Sequence, residues 1–223
     1  MKVGFFDSGV GGLTILNAFR TLSPDVETEY LADRAHCPYG NRTSEEIIAF
    51  SVANTEELLR RGCGVIVVAC NTATGAAIDH LRARYPDVPF VGVEPALKPA
   101  AQRTKTGVVG VLATAGTFHG RLYNATKARF ARGVVVLAVV ADEFVRLVER
   151  GETDGEVVEA AVRTKIEPLL KAGADEIVLG CTHFPHLRPV IERVCAGRAE
   201  VLDSGEAVAR QIRRVLKSPL SFI

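Results

Sequence analysis

The chain has 223 residues, 48% hydrophobic and 24% charged. At about 100–200 residues per domain it makes one large domain or two small ones, long enough for a core without disulfide staples. Its 27 basic and 26 acidic side chains leave a net charge of +1, which excludes the basic excess of a nucleic-acid binder or a membrane-surface protein.

The chain opens on Val3-Gly4-Phe5-Phe6 with no charged-then-apolar leader, and its longest apolar run, 133–141, is too short to cross a bilayer, so the expected location is the cytoplasm. Residues 3–6 read as a buried strand and 11–22 as a helix, stopped by Ser23-Pro24-Asp25. A short strand at 28–31 leads into a loop, 32–42, carrying Pro38 and Gly40. Thr43-Ser44-Glu45-Glu46 matches a capping box, a side-chain oxygen followed three residues on by a carboxylate. The helix behind it runs to about residue 61, with Ile48, Val52 and Leu59 on one face. A second apolar strand at 65–68, a helix at 75–84 and a strand at 90–93 complete a first set.

The same grammar then restarts. Residues 108–112 read as a strand, 117–132 as a helix and 134–140 as a strand. Thr153-Asp154-Gly155-Glu156 matches a second capping box, opening a helix with Val158, Val162, Ile166 and Leu169 on one face. Strands at 176–179 and 200–202 alternate with helices at 187–195 and 205–216. Strands this apolar, separated by helices, imply mostly parallel sheets covered on both faces. Two sets imply two small α/β domains, with the crossover at 94–106, which holds Pro95 and Pro99, as the boundary. The segment around Cys70 (Ile66-Val67-Val68-Ala69-Cys70-Asn71-Thr72) resembles that around Cys181 (Ile177-Val178-Leu179-Gly180-Cys181-Thr182-His183). Duplication of one domain explains the pair; the alternative is that buried strands look alike.

Five cysteines (Cys37, Cys63, Cys70, Cys181, Cys195) cannot all pair and no CxxC occurs, so free thiols are expected. Cys70 and Cys181 each follow an apolar strand and precede a polar turn, where α/β proteins build ligand sites and where the next helix's N-terminus favours a thiolate. Taken singly, either reads as an inert buried cysteine; taken together, at matching positions of two halves, they read as the walls of one cleft. Two thiols facing across a cleft suit inversion of a stereocentre, with a base on one face and an acid on the other. Asp7-Ser8-Gly9-Val10-Gly11-Gly12 is a Gly-rich strand-to-helix turn. It lacks the patterns of a P-loop and of GxGxxG, so nucleotide binding is disfavoured. It can cradle an anion or be a tight turn only, and Asp7 can orient or activate a thiol. Asn71, Thr72, Thr114, Thr117 and Thr182 are small polar groups at strand ends, able to bind carboxylates or to cap helices. Cys181, His183 and His186 do not have structural-zinc spacing and no second cluster completes four ligands, so no metal is expected. His183 reads as an acid/base assistant to Cys181. Cys37, beside Pro38-Tyr39-Gly40, reads as a cleft-lining residue, and Cys63 and Cys195 as structural.

Six motifs then occur in register: Asp7-Ser8-Gly9-Val10-Gly11-Gly12, Pro38-Tyr39-Gly40, Ala69-Cys70-Asn71-Thr72-Ala73, Gly92-Val93-Glu94-Pro95-Ala96, Gly180-Cys181-Thr182-His183-Phe184-Pro185 and Asp203-Ser204-Gly205. In this order and over essentially the whole chain they resemble the glutamate racemases. The resemblance implies two pseudosymmetric α/β domains with the active site between them, the first formed by 1–94 and 203–223 and the second by 95–202. It implies a racemase without cofactor that interconverts L- and D-glutamate for peptidoglycan synthesis, with Cys70 deprotonating D-glutamate and Cys181 deprotonating L-glutamate. Asp7 would assist Cys70, and His183 with Glu149 would assist Cys181. Substrate contacts carried over are Asp7, Ser8, Tyr39, Gly40, Asn71, Thr72, Thr114, Thr117, Thr182 and His183. The implied partner is a small molecule, neither nucleic acid nor membrane, and homodimers are common among such enzymes. The chain departs from the family at Ala141-Asp142, where Cys-Pro is frequent ahead of a segment like Phe144-Val145-Arg146-Leu147-Val148-Glu149, and it is shorter at the C-terminus. An aspartate or broad-specificity racemase of the same fold, a non-catalytic amino-acid binding module and a thiol hydrolase are the alternatives. His183 stands where aspartate racemases usually carry Glu, and a hydrolase would leave the second cysteine unexplained.

Overall fold

Each half of the chain folds into a four-stranded parallel sheet with helices on both faces. The structure, a computed structural model, describes residues 1–217. The first half runs β1 (Lys2–Asp7), α1 (Leu13–Leu22), β2 (Thr28–Ala32), α2 (Ser44–Arg60), β3 (Cys63–Val68), α3 (Asn71–Arg84) and β4 (Phe90–Gly92), with a 3₁₀ turn at Tyr39–Asn41. The second runs α4 (Leu97–Arg103), β5 (Val108–Ala113), α5 (Ala115–His119), α6 (Arg121–Phe130), β6 (Val135–Val140), α7 (Asp142–Glu149), α8 (Glu156–Lys171), β7 (Glu176–Leu179), α9 (Arg188–Cys195) and β8 (Glu200–Leu202), with a 3₁₀ turn at Phe184–Leu187. α10 (Gly205–Lys217) closes the described chain.

The strand order is β2-β1-β3-β4 in one sheet and β6-β5-β7-β8 in the other, the same permutation twice. All pairings are parallel, as strands apolar on both faces require. α1 and α10 cover one face of the first sheet, where Ile15, Phe19, Val208 and Ile212 meet Val3, Phe5 and Val67. α2 and α3 cover the other. In the second sheet α7, α8 and α9 pack one face and α4 with Tyr123 of α6 the other. The C-terminal helix thus returns to the first sheet; residues 218–223 of the expected first domain lie outside the described residues.

Several elements differ from the sequence reading. α1 starts at Leu13 rather than residue 11, because Gly11 and Gly12 form the turn. α2 has the expected capping box, Thr43 with Glu46, but its buried face is Ile47, Ser51, Asn54, Thr55 and Leu58, not Ile48, Val52 and Leu59. Three polar residues on that face hide it from a hydropathy pattern, and two of them are satisfied internally: Thr55 Oγ1 donates to Ser51 O at 2.7 Å and Asn54 to the Tyr39 hydroxyl. α3 begins at Asn71, four residues early, with Cys70 as its N-cap. The 94–106 crossover contains α4, whose Pro99 sits in the first turn, where a missing N–H costs nothing. The single helix at 117–132 is two, broken at Gly120. Thr153 does not cap α8; Gly155 stands at that position with φ +99°.

Candidate active site

The parallel sheets send the loops after β1, β3, β5 and β7 to one end of each half, and those loops meet. Asp7 is the last residue of β1 and is fully buried. Its Oδ2 accepts from the Gly9 and Gly12 amides at 3.2 and 3.1 Å, and its Oδ1 from Thr182 Oγ1 of the other half at 3.3 Å. The turn 7–12 therefore folds around its own carboxylate. A Cβ on Gly11 would stand 2.4 Å from His183 Nδ1, so the two halves approach this closely only with glycine there.

Cys70 and Cys181 occupy equivalent places after β3 and β7, and both are buried. The Cys70 thiol accepts from Ala73 N at 3.5 Å at the start of α3. Burial first, then the Asp7 carboxylate and Cys181 across the cleft, push this thiol well above its ordinary pKa, only partly offset by the amides of Ala73 and Ser8. Cys181 Sγ lies 3.8 Å from His183 Nδ1, and His183 Nε2 lies 2.6 Å from Glu149 Oε1. Burial alone would lower the His183 pKa, but Cys181 and then Glu149 raise it to about 10. Glu149 ends α7 and also accepts from Val10 N at 2.7 Å. Despite partial burial, His183 and that amide hold its carboxyl below the usual range.

The remaining expected residues gather around this core. Thr72, at the start of α3, meets Thr114 and Thr117 of the second half in a buried hydroxyl triangle with edges of 2.9, 3.3 and 3.0 Å. Asn71 Nδ2 donates to Val93 O at 3.3 Å. Gly40 lies against Thr114, and Ser8 is buried in the turn after Asp7. Tyr39 is buried, but its hydroxyl is committed to Asp33 Oδ2 at 2.5 Å and to Asn54 at 3.2 Å. Two further groups at the site carried no sequence signal. Thr14 Oγ1 donates to Thr182 O at 3.2 Å, and the Tyr30 hydroxyl donates to Gly9 O at 2.7 Å, bracing the turn. Cys37 reaches Glu149 at the cleft's edge, its thiol pushed up to about 12 by burial and the Glu149 and Asp7 charges. His186 Nε2 is buried without a partner, and burial and then the His183 charge lower its pKa.

The cavity touching Cys181, Asn71 and Thr182 is only about 10 Å³, room for one water at most. A wider opening of about 530 Å³ reaches Thr72 between Gly40 and Gly116, flanked by Arg42 and Arg121. The arrangement provides two thiols, each with an acidic or basic neighbour, in a water-poor seam lined by hydroxyls and turn amides. That equipment suits proton transfer to and from carbon. Among the described residues no helix is long and apolar enough to cross a membrane.

Known proteins share this plan. Residues 14–212 match the model of the Asp/Glu/Hydantoin racemase family. The chain is 50% identical over 214 residues to a glutamate racemase of Herpetosiphon aurantiacus, covering 96% of this chain and 84% of that one. It superposes with TM-score 0.90 on Escherichia coli glutamate racemase in complex with L-glutamate and the activator UDP-MurNAc-Ala, at 37% identity over 97% of this chain and 82% of that one. Thermus thermophilus glutamate racemase, in complex with β-chloro-D-alanine, superposes with TM-score 0.78 at 38% identity over 97% of this chain and 80% of that one. With matched strand orders, paired cysteines and identity of this extent over nearly all its length, the chain belongs to the Asp/Glu/hydantoin racemase family, among its glutamate racemases.

Proposed function

We propose that the protein interconverts L- and D-glutamate by proton transfer between the substrate Cα and two cysteines, without cofactor or metal. The observation that carries this is the placement of Cys70 and Cys181 at equivalent strand ends of two like sheets, buried and close enough to feel each other's charge. In the L-to-D direction the Cys181 thiolate takes the Cα proton and the Cys70 thiol delivers another to the opposite face. The D-to-L direction reverses the roles. His183, held by Glu149, exchanges protons with Cys181 through Nδ1, while Asp7 acts on Cys70 by its charge. The Cα proton is very weakly acidic, so the negative charge that develops needs preoriented donors. Ser8, Asn71, Thr72, Thr114, Thr117, Thr182 and the amides at Tyr39 and Gly40 are the candidates. Closure of the seam around substrate would exclude water.

The same reading makes 1–94 with the C-terminal helix one domain and 95–202 the other. It places the enzyme in the cytoplasm as a supplier of D-glutamate for peptidoglycan, and a homodimer as its assembly. The test is incubation of the purified protein with D-glutamate, and separately D-aspartate, in D₂O without pyridoxal phosphate or added metal. Loss of optical signal with deuterium at Cα of glutamate is the expected result. Exchange in aspartate alone would move the activity to that substrate, and no exchange in either would overturn the reading. Cys70→Ser and Cys181→Ser should each lower turnover by about 10²–10⁴-fold, the contribution of a lost acid or base.

A further inference from the structure

Three side chains of different donor chemistry converge where the turn 7–12 meets α7. Cys37 Sγ, a Glu149 carboxylate oxygen and a ring nitrogen of His183 all lie within 4.8 Å of one another. Among the described residues no other group of His, Cys, Asp and Glu comes together in this way. Two of the three are already fixed. Glu149 is tied to Val10 N, and the His183 ring is buried with its other nitrogen turned to Cys181. Cys37 comes from the loop after β2 and is partly exposed.

One sulfur, one imidazole nitrogen and one carboxylate oxygen is a donor set for a borderline-soft dication. Ca²⁺ and Mg²⁺ prefer oxygen alone. Zn²⁺ takes three such protein ligands and leaves a fourth position to water. A cavity of about 330 Å³ bounded by Arg34, Arg146, Arg150 and Val145 opens onto Cys37 and Glu149 and supplies both the entry path and the space for that water. Its three arginines would repel a bare dication, but binding is an exchange. Zn²⁺ displaces the thiol proton of Cys37 and the proton held between His183 Nε2 and Glu149 Oε1. Two positive charges enter and two leave, so the net charge facing the arginines is unchanged. Metal–ligand bonds of about 2.0–2.3 Å need the His183–Glu149 contact, now 2.6 Å, to open by only a fraction of an ångström.

We propose that Cys37, Glu149 and His183 form a binding site for one Zn²⁺ ion and that its occupation shuts off the cleft. The metal would take Nε2 of His183 and sever it from Glu149, so the residue beside Cys181 could no longer cycle its proton. The inhibitory half of this proposal rests on the proton-transfer reading above; the binding half does not.

The test uses the full chain with Co²⁺ and Zn²⁺. Co²⁺ should produce a thiolate-to-metal charge-transfer band, bleached by one equivalent of Zn²⁺ and absent in Cys37→Ser. Zn²⁺ should inhibit racemisation reversibly, with activity restored by EDTA. Cys37→Ser, which keeps Cys70, Cys181 and His183, should remain active and need at least about tenfold more Zn²⁺ for the same inhibition. Glu149→Gln, read by metal binding alone, should also lose affinity and serves should Cys37→Ser fail to fold. Equal Zn²⁺ affinity and inhibition in wild type and Cys37→Ser would place the metal on Cys70 and Cys181 and overturn the proposal. Failure of the wild type to bind either ion would do the same. Metal binding in a protein that does not racemise glutamate would leave the site standing and bring down the activity instead.

Discussion

Thr72 Oγ1 lies 2.9 Å from Thr114 Oγ1, a hydrogen bond that joins the helix after β3 to the loop after β5 and so couples the two halves at the cleft. Thr117 closes the triangle. Three hydroxyls bonded to one another spend their three O–H donors within the triangle, so a bound carboxylate, which only accepts, would be met by a hydroxyl turned out of it. Thr114→Val keeps the shape and removes one hydroxyl. It should lower kcat/KM by about 10–100-fold and cost about 1–3 kcal/mol of stability from the partners left unsatisfied. Thr114→Ser should restore most of both. Steady-state kinetics and a denaturant titration read the two effects separately, and unaltered kinetics in the valine variant would remove the triangle from the site.

Asp7 and Cys70 set an alkaline limit. The proposed two-cysteine transfer needs one thiol and one thiolate, so kcat/KM should fall when the cysteine pair loses its last proton. Burial and the Asp7 charge raise the Cys70 pKa, which carries this limb above the ordinary thiol range. Asp7→Asn removes the charge while an oxygen remains for the Gly9 and Gly12 amides. The limb should then move to lower pH. A limb that stays in place would show that Asp7 does not act on Cys70.

The halves meet through glycine. A Cβ on Gly116 would lie 2.9 Å from Thr72 Cγ2 and 3.2 Å from the Gly40 carbonyl, and the latter is backbone that cannot rotate away. Gly116→Ala should hold the seam ajar. KM should rise and kcat fall, while the thermal midpoint changes little because each half keeps its own core. A large drop in melting temperature with normal kinetics would contradict this.

Asp175 couples acid stability to the link between α4 and β5. It accepts from Thr104 Oγ1 at 2.5 Å and from the Lys105 and Thr106 amides at 2.6 and 3.1 Å. Burial works against the charge, yet these bonds hold the folded pKa at about 2. A depressed carboxylate stabilises above its unfolded value, about 3.9, and that stability is lost as pH falls from about 4 to about 2. Asp175→Asn should lose about 1 kcal/mol at neutral pH and flatten this part of the acid transition, measured by denaturant titration across the range.

Strands and most helices were legible because buried parallel strands are uniformly apolar, as at 65–68 and 176–179, and because α8 keeps Val158, Val162, Ile166 and Leu169 in step. Legibility failed where polarity and burial part company. The inner face of α2 carries Ser51, Asn54 and Thr55, and α3 is capped by a thiol, not a hydroxyl. With Pro95 and Pro99 in it, 94–106 read as a crossover and not as a helix, because the harmlessness of Pro99 depends on where the helix starts. Within the site, Cys70, Cys181 and the turn 7–12 announced themselves through local pattern and repetition. Glu149 entered only by family resemblance, since its contact with His183 spans 34 residues and no local spacing encodes it. Thr14, Tyr30 and the approach of Cys37 to Glu149 depend on three-dimensional packing alone.

The repeated strand order has a thermodynamic corollary. Mirror-image substrates have equal free energies in water, so the ratio of forward to reverse kcat/KM must be unity whatever the protein does. Two halves related by an unbroken dyad would satisfy this trivially, with matching constants in each direction. Here one thiol answers to a carboxylate and the other to an imidazole–carboxylate pair. That inequality cannot favour either enantiomer at equilibrium. It can only be partitioned, with one direction turning over faster and saturating later by the same factor, so the divergence of the two halves fixes which enantiomer the enzyme holds more tightly.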